Sequence, residues 1–280
     1  QQTRAEAVKQ YYRLFTTRFP DVHTLARAKE NQVLSLWSGL GYYRRARMLH
    51  SAAREIVAQF DGALPSTASE LRRLPGVGPY TAAAIASIAF NEPVAVVDGN
   101  VERVLSRWYG TALSSKEYWK HARDLLDIGR PGDWNQAMME LGATVCTPRT
   151  PRCAACPVLS SCRTRGERKP SPKLPARRKK AVSYVLSRRD DKVLLLRRAK
   201  DRALMAGMWE LPLVSAQPDG LLLSTKHSIT TTDFAVSIYA SGDIGRSGFR
   251  RWVHVRDLPE LALTGLTRKI FRKLHILDSR

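Results

Sequence analysis

All four cysteines of this 280-residue chain lie within 17 residues, as Cys146-x6-Cys153-x2-Cys156-x5-Cys162, and the other 263 residues contain none. Thiols used for packing would scatter. Four soft ligands on one short loop can instead wrap a single metal centre, either tetrahedral zinc or a [4Fe–4S] cluster. Gaps of six, two and five residues favour the cluster. Structural zinc sites usually pair two short knuckles, whereas the corner irons of a cubane stand apart and suit a longer, uneven loop. Free thiols or two disulfides are the competing reading, and nothing in the sequence marks an oxidising, secreted setting. Helical domains stapled by metal often serve something other than redox chemistry, so the partner is sought in the charge.

The chain carries 46 Lys and Arg against 25 Asp and Glu, a formal charge of +21. An excess of this size attracts polyanions through counterion release and long-range steering. Membrane surfaces are the rival polyanion, but there is no signal peptide and no apolar run of membrane-spanning length. Nucleic acid is the expected partner.

Residues 163–180 read RTRGERKPSPKLPARRKK, with nine basic residues, one acid and three prolines. Such a stretch cannot bury a core and is expected to be an extended, solvated linker. Before it the periodicity is helical, over 5–19, 34–40, 46–60, 81–89 and 100–108; after it, strands are expected at 181–186, 193–197, 234–238 and 249–255, with a turn at Asp190-Asp191 and a closing helix at 267–277. The expected fold is multidomain: an all-helical domain over 1–164 containing the cysteine loop 146–162, a basic linker over 165–180, and an α+β domain over 181–280.

Two segments of the helical half carry chemistry. In Leu74-Pro75-Gly76-Val77-Gly78-Pro79-Tyr80-Thr81, two glycines form a tight hairpin between helices. Their bare backbone N–H groups and the following helix N-terminus make a phosphate seat at Gly76, Val77 and Gly78. A Gly-x-Gly alone fits any interhelical turn; with Leu-Pro before it and an alanine-rich helix after it, it reads as a helix-hairpin-helix. Twenty residues on, in Val96-Val97-Asp98-Gly99-Asn100, Asp98 sits where an extended apolar segment enters a helix. It is either a helix N-cap or a carboxylate in an apolar wall facing a sugar that develops positive charge.

Hairpin, Asp98 and cysteine loop follow the order and spacing of one family. The chain resembles the helix-hairpin-helix DNA glycosylases with a [4Fe–4S] cluster, the group containing endonuclease III and adenine DNA glycosylase. Gln1-Gln2-Thr3 and Trp37-Ser38-Gly39-Leu40-Gly41-Tyr42-Tyr43 are similar to motifs of the adenine branch (MutY-type). So are Leu194 to Arg198 and Met205 to Pro212, which resemble its NUDIX-like C-terminal domain. The endonuclease III branch carries a Schiff-base lysine where this chain has Tyr80, so imine-based strand cleavage is not expected. A working NUDIX hydrolase has a glutamate-rich metal box; residues 213–223 hold a single acid, Asp219, so this domain is expected to bind without catalysing.

The resemblance implies a monofunctional DNA glycosylase of base-excision repair that hydrolyses the N-glycosidic bond of adenine mispaired with 8-oxoguanine or guanine. The target adenine must be flipped out of double-stranded DNA. Asp98 would stabilise the oxocarbenium-like centre, with Tyr80 and Asn100 assisting in the pocket. Gln2 and Tyr42 would act as wedges in the base stack, with Thr3 and Arg4 beside them on DNA, and His227-Ser228 would read the oxidised guanine. Cys146, Cys153, Cys156 and Cys162 would hold the cluster, presenting Arg149, Arg152 and Arg163 to phosphate. The expected setting is the bacterial cytoplasm and nucleoid, as a monomer with no membrane partner. The resembling enzymes place a general-acid glutamate four residues before the first Gln of Gln-Gln-Thr. Since the sequence begins at that Gln, it is expected to be an N-terminally truncated chain without that acid, for which Glu6, Glu30 and Glu55 are no substitute. The alternatives are a pyrimidine-damage or mismatch glycosylase of the endonuclease III type, and a non-catalytic lesion-binding fragment.

Overall fold

The computed structural model describes residues 5–165, 176–199, 201, 202, 204–245 and 248–278. The chain divides into two compact units: Gln1–Arg54 together with Leu174–Arg280, and Glu55–Lys173. The basic segment 166–175 lies outside the described residues.

The first unit opens with α1 (Ala5–Arg18), α2 (Val22–Arg27), α3 (Glu30–Trp37) and α4 (Tyr43–Gln59), the last of which runs across the cut. α1 stops short of Pro20, because a proline disfavours helical geometry in the residue before it. Asp21 then caps α2 by accepting a hydrogen bond from Thr24 N. The buried faces of these helices gather Phe19, Leu25, Val33, Leu34 and Ala46 into one core, and Met208 and Ala262 from the C-terminal half complete it. Residues more than 150 positions apart therefore share a hydrophobic core.

The second unit is helical: α5 (Ala68–Leu71), α6 (Pro79–Phe90), α7 (Gly99–Tyr109), α8 (Ser115–Asp124) and α9 (Pro131–Glu140), followed by a π turn over Leu141–Val145. Local signals set these ends. Pro79 begins α6, Gly110 in the left-handed region ends α7, and a Ser114–Glu117 capping box starts α8. Small residues decide the packing. Ala82, Ala83 and Ala86 are buried along α6. A side chain on Gly132 would meet the Ser87 carbonyl at 2.7 Å, so α9 crosses α6 at near backbone contact. Val101, Val104, Leu105, Ala122, Met138 and Leu141 form the core, and Cys146 and Cys156 pack against it.

The rest of the first unit is α+β. Its strands are β1 (Arg178–Val185), β2 (Arg188–Arg189), β3 (Lys192–Arg197), β4 (Trp209–Glu210), β5 (Val214–Ile229), β6 (Thr232–Ile244) and β7 (Phe249–His254), and α10 (Gly265–Lys273) closes it. One sheet has the order β1-β6-β5, with β1 parallel and β5 antiparallel to β6; in the other, β3 pairs with β2, β4 and β7. The chain reverses at Asp190, which takes a positive φ of 52° at the expected turn. Val193, Leu195, Val236, Ile238, Val253, Ile270 and Phe271 form the core between sheets and helix. The acid-poor stretch 213–223 falls largely in β5, a strand and not a helix.

Candidate functional site

In the hairpin, Leu74 is buried and anchors the turn through Val77 N–H donating to its carbonyl at 3.1 Å. Gly76 takes φ +78°, a conformation that side chains resist. Gly78 is the N-cap of α6, with no atom within 4 Å of where a Cβ would point. Both glycines are exposed. The first turn of α6 therefore presents backbone donors toward open space with no acid beside them.

Tyr80 follows directly, its hydroxyl 3.7 Å from Met139 Sδ. Burial pushes its phenol up from the ordinary range, and the nearby Asp98 carboxylate adds to that push. The hairpin tyrosine and the expected catalytic carboxylate thus share one neighbourhood.

Asp98 does serve as an N-cap. Its Oδ1 accepts from Asn100 N at 2.9 Å and Val101 N at 2.8 Å, while Asn100 Nδ2 donates to Oδ2 at 3.0 Å. Three donors fix the plane of a half-buried carboxylate, so capping and presentation are one arrangement. The approach is fixed as well. Residues 92–98 belong to no helix or strand, and the buried Asn135 of α9 bonds to their backbone instead. Its Oδ1 accepts from Val96 N at 3.0 Å, and its Nδ2 donates to Val94 O at 2.8 Å and Ser87 Oγ at 2.9 Å.

Two further residues lie behind Asn100. Arg103, one turn along α7, donates to Asn100 Oδ1 at 2.8 Å, Gly142 O at 2.6 Å and Cys146 O at 2.8 Å. Gly142, in the π turn, comes so close that a Cβ would sit 2.6 Å from Asn100 Cβ and 2.8 Å from its carbonyl. A hydrogen-bonded path therefore runs from the Asp98 carboxylate through Asn100 and Arg103 to the carbonyl of the first cysteine. Arg103, Asn135 and Gly142 were not picked out from the sequence. The spacing of Asn100 and Arg103 on one face of an amphipathic helix was a usable signal for the first; the other two have partners about 40 residues away.

The cysteine loop leaves the π turn at Cys146 and passes two short 3-10 turns, Cys153–Ala155 and Leu159–Ser161. None of its four cysteines is bridged, and each is half-buried. Burial raises the Cys153 thiol, with smaller contributions from Cys146, Cys156 and Cys162. Arg107 holds both ends of the loop. Its guanidinium donates to Cys146 Sγ at 3.3 Å, Thr147 O at 2.8 Å and Pro148 O at 3.1 Å, and its carbonyl accepts from Thr164 N at 3.2 Å and Thr164 Oγ1 at 2.6 Å. Arg152 is turned back onto Thr144 O. Among the described residues no three His, Cys, Asp or Glu side chains converge as a metal site. The case for a metal here is the kind of donor: four unbridged thiols on one loop.

In the first unit, Tyr42 is 55% exposed with φ +49°, and the Arg45 guanidinium lies 5.1 Å from its ring centroid. His227 and Ser228 fall within β5 rather than in the turn, which is Thr230-Thr231. His227 is half-buried, and its imidazole is pushed below the usual range by burial and by Lys269. Ser228 Oγ donates to Asp233 Oδ1 at 2.6 Å. Gln2, Thr3 and Arg4 lie outside the described residues. No helix among the described residues is long and apolar enough to cross a membrane.

Comparison with known proteins bears on this constellation. Residues 1–127 match the family model for the HhH-GPD superfamily of base excision DNA repair proteins. A thermostable thymine-DNA glycosylase structure superposes with a TM-score of 0.55 at 30% identity, covering 58% of this chain and 78% of that one. The chain belongs to the HhH-GPD superfamily. Within the superfamily, it is 50% identical over 172 residues to the adenine DNA glycosylase of Homo sapiens, covering 59% of this chain and 32% of that protein. Against the adenine DNA glycosylase of Schizosaccharomyces pombe it is 35% identical over 266 residues, covering 76% of this chain and 58% of the relative. The chain thus spans about a third of the first relative's length and just over half of the second's.

Proposed function

We propose that this chain removes adenine mispaired with 8-oxoguanine from double-stranded DNA, as a monofunctional glycosylase. The observation that carries this reading is the Asp98 carboxylate, oriented by three donors and set near a tyrosine at the hairpin position where a lyase would have a lysine. Adenine DNA glycosylase relatives and the formal charge of +21 support the substrate and the polyanion.

The chemistry follows from charge placement. Loss of the base leaves positive charge on the deoxyribose ring, and a fixed carboxylate stabilises that charge more than it does the neutral ground state. Asn100 and the α7 amides keep Asp98 from turning away, so little reorganisation is needed as charge develops. A Tyr80 phenol cannot form an imine with the sugar; water instead adds at the cationic sugar carbon, its proton balancing the one that adenine carries away, and hydrolysis ends at an abasic site. The hairpin amides at Gly76, Val77 and Gly78 hold the DNA backbone, and Tyr42, with Gln2, enters the stack as the adenine flips. The C-terminal α+β portion, NUDIX-like by its Leu194–Arg198 and Met205–Pro212 motifs, reads the oxidised guanine through His227 and Ser228 near the β5–β6 turn. Cys146, Cys153, Cys156 and Cys162 would hold a [4Fe–4S] cluster, which would brace the loop behind Arg103.

The test is a single-turnover assay on duplexes carrying adenine opposite 8-oxoguanine, guanine or thymine, with competition binding on the same duplexes. Selective binding opposite 8-oxoguanine, with strand breaks appearing only after alkali, is the expected result. Breaks without alkali would return the chain to the endonuclease III type; neither selectivity nor adenine release would remove the substrate assignment.

A further inference from the structure

Tyr42 stands on a loop that has no regular structure of its own, and that loop is held from below by the other end of the chain. Ser38, 1% exposed, is the pivot. Its Oγ donates to Leu263 O at 2.7 Å and accepts from Arg268 Nε of α10 at 2.8 Å. Arg268 is itself only 3% exposed, so its bond to this loop is made away from water. The rest of the segment is locked to the same point. Tyr11 OH donates to Ser38 O at 3.3 Å, Gly39 N–H donates to Tyr43 OH at 3.3 Å, and Trp37 Nε1 donates to Gly41 O at 3.0 Å. Gly39 has φ +111°, and a Cβ there would collide with the Tyr11 hydroxyl. A positive φ at Tyr42 itself is uncommon for a bulky residue and persists only where surrounding contacts impose it.

We propose that Arg268 is a positioning residue for Tyr42. Through Ser38, the C-terminal half of the chain sets the conformation in which the exposed ring is offered to DNA. A hydrophobic contact would tolerate sliding; a buried guanidinium N–H donating to a serine hydroxyl favours one register, because any other breaks that hydrogen bond away from water. Lesion reading and base-stack entry would then be mechanically joined in one unit, with no contact needed between the lesion-reading residues and Tyr42. This rests on the reading of Tyr42 as the residue that enters the stack.

Hydrogen exchange of the full chain, followed by mass spectrometry, tests the clamp without reference to activity. Arg268→Gln is expected to raise exchange across 38–43 by tenfold or more while α7 in the other unit exchanges as in the parent, and Arg268→Lys is expected to recover part of the protection. Ser38→Ala is the gentler variant, to be read the same way if Arg268→Gln does not fold. Binding preference for 8-oxoguanine over undamaged duplex is measured beside it. Arg268→Gln should lower that preference to the level of Tyr42→Ala, and the double variant should fall no further. Unchanged protection at 38–43, or additive losses in the double variant, would overturn the proposal. A parent protein without lesion preference would instead count against the proposed substrate, while the exchange result still judges the clamp.

Discussion

Asp98 and Tyr42 are both exposed enough to act, yet they are secured in different ways. Asp98 is held by its own neighbours, Asn100 and Val101, with Asn135 and Arg103 bracing the segments on either side. Tyr42 sits on a loop whose buried serine bonds to residues 225 and 230 positions away. A carboxylate that must face one atom in a transition state gains from short, stiff connections. On the proposed function, a ring that enters DNA at the lesion can be placed by the segment proposed to sense that lesion. The difference predicts that damage to the C-terminal half impairs selectivity, whereas damage around α7 impairs the chemical step.

The largest effect that would sharpen this contrast is expected from Asp98→Asn. Removing a preorganised charge from a developing cation costs about 10²–10³ in rate. Asparagine keeps the cap acceptor for the Asn100 and Val101 amides and loses the bond from Asn100 Nδ2, so the midpoint of urea unfolding should move far less than the rate. A fall in stability matching the fall in rate would show that Asp98 matters only as a cap.

Arg198→Met probes the other unit. Arg198 Nη1 lies 2.7 Å from both carboxylate oxygens of Glu210, whose acid burial already pushes above its usual range despite that partner. Leaving Glu210 alone should destabilise by about 3 kcal/mol, with lesion preference lost before adenine release. Because the folded pKa of Glu210 is raised, its carboxyl opposes folding more as pH rises through that value. The variant should therefore recover stability toward acid pH, and equal losses of selectivity and chemistry would break the comparison. Asn135→Leu strands the Val96 N–H in the core and should cost about 2 kcal/mol, lowering the single-turnover rate with DNA binding kept. Gly142→Ala should cost a similar amount, about 2 kcal/mol, because its Cβ would press on the Asn100 backbone and the π turn must shift, and it should slow the chemical step.

What was legible in the sequence follows the same division. The glycine hairpin, the alanine-rich α6 and the Asp98 cap depend on residues within a turn of each other, and 81–89 and 100–108 fall inside α6 and α7. The strand expected at 193–197 sits within β3, and that expected at 234–238 falls in the first half of a longer β6. β5 passed unread over 224–229 because its half-buried positions include Thr225 and His227, which carry too little apolar contrast to show a period of two. α9 was missed for the opposite reason: Pro131-Gly132 reads as a turn, although proline is well suited to a first helical position. Arg103 on Cys146, Asn135 on Val96 and Arg268 on Ser38 were invisible because a single sequence records none of their partners.

Arg107 has a bearing on how the molecule is assembled. Its guanidinium gathers the start of the cysteine loop and its carbonyl the end, both from one residue of α7. Much of the loop-closure entropy is then met by protein contacts before any ion is captured. The loop's two ends are held to α7 without a metal, whereas its four thiols do not converge among the described residues and would be drawn together only by the group they bind.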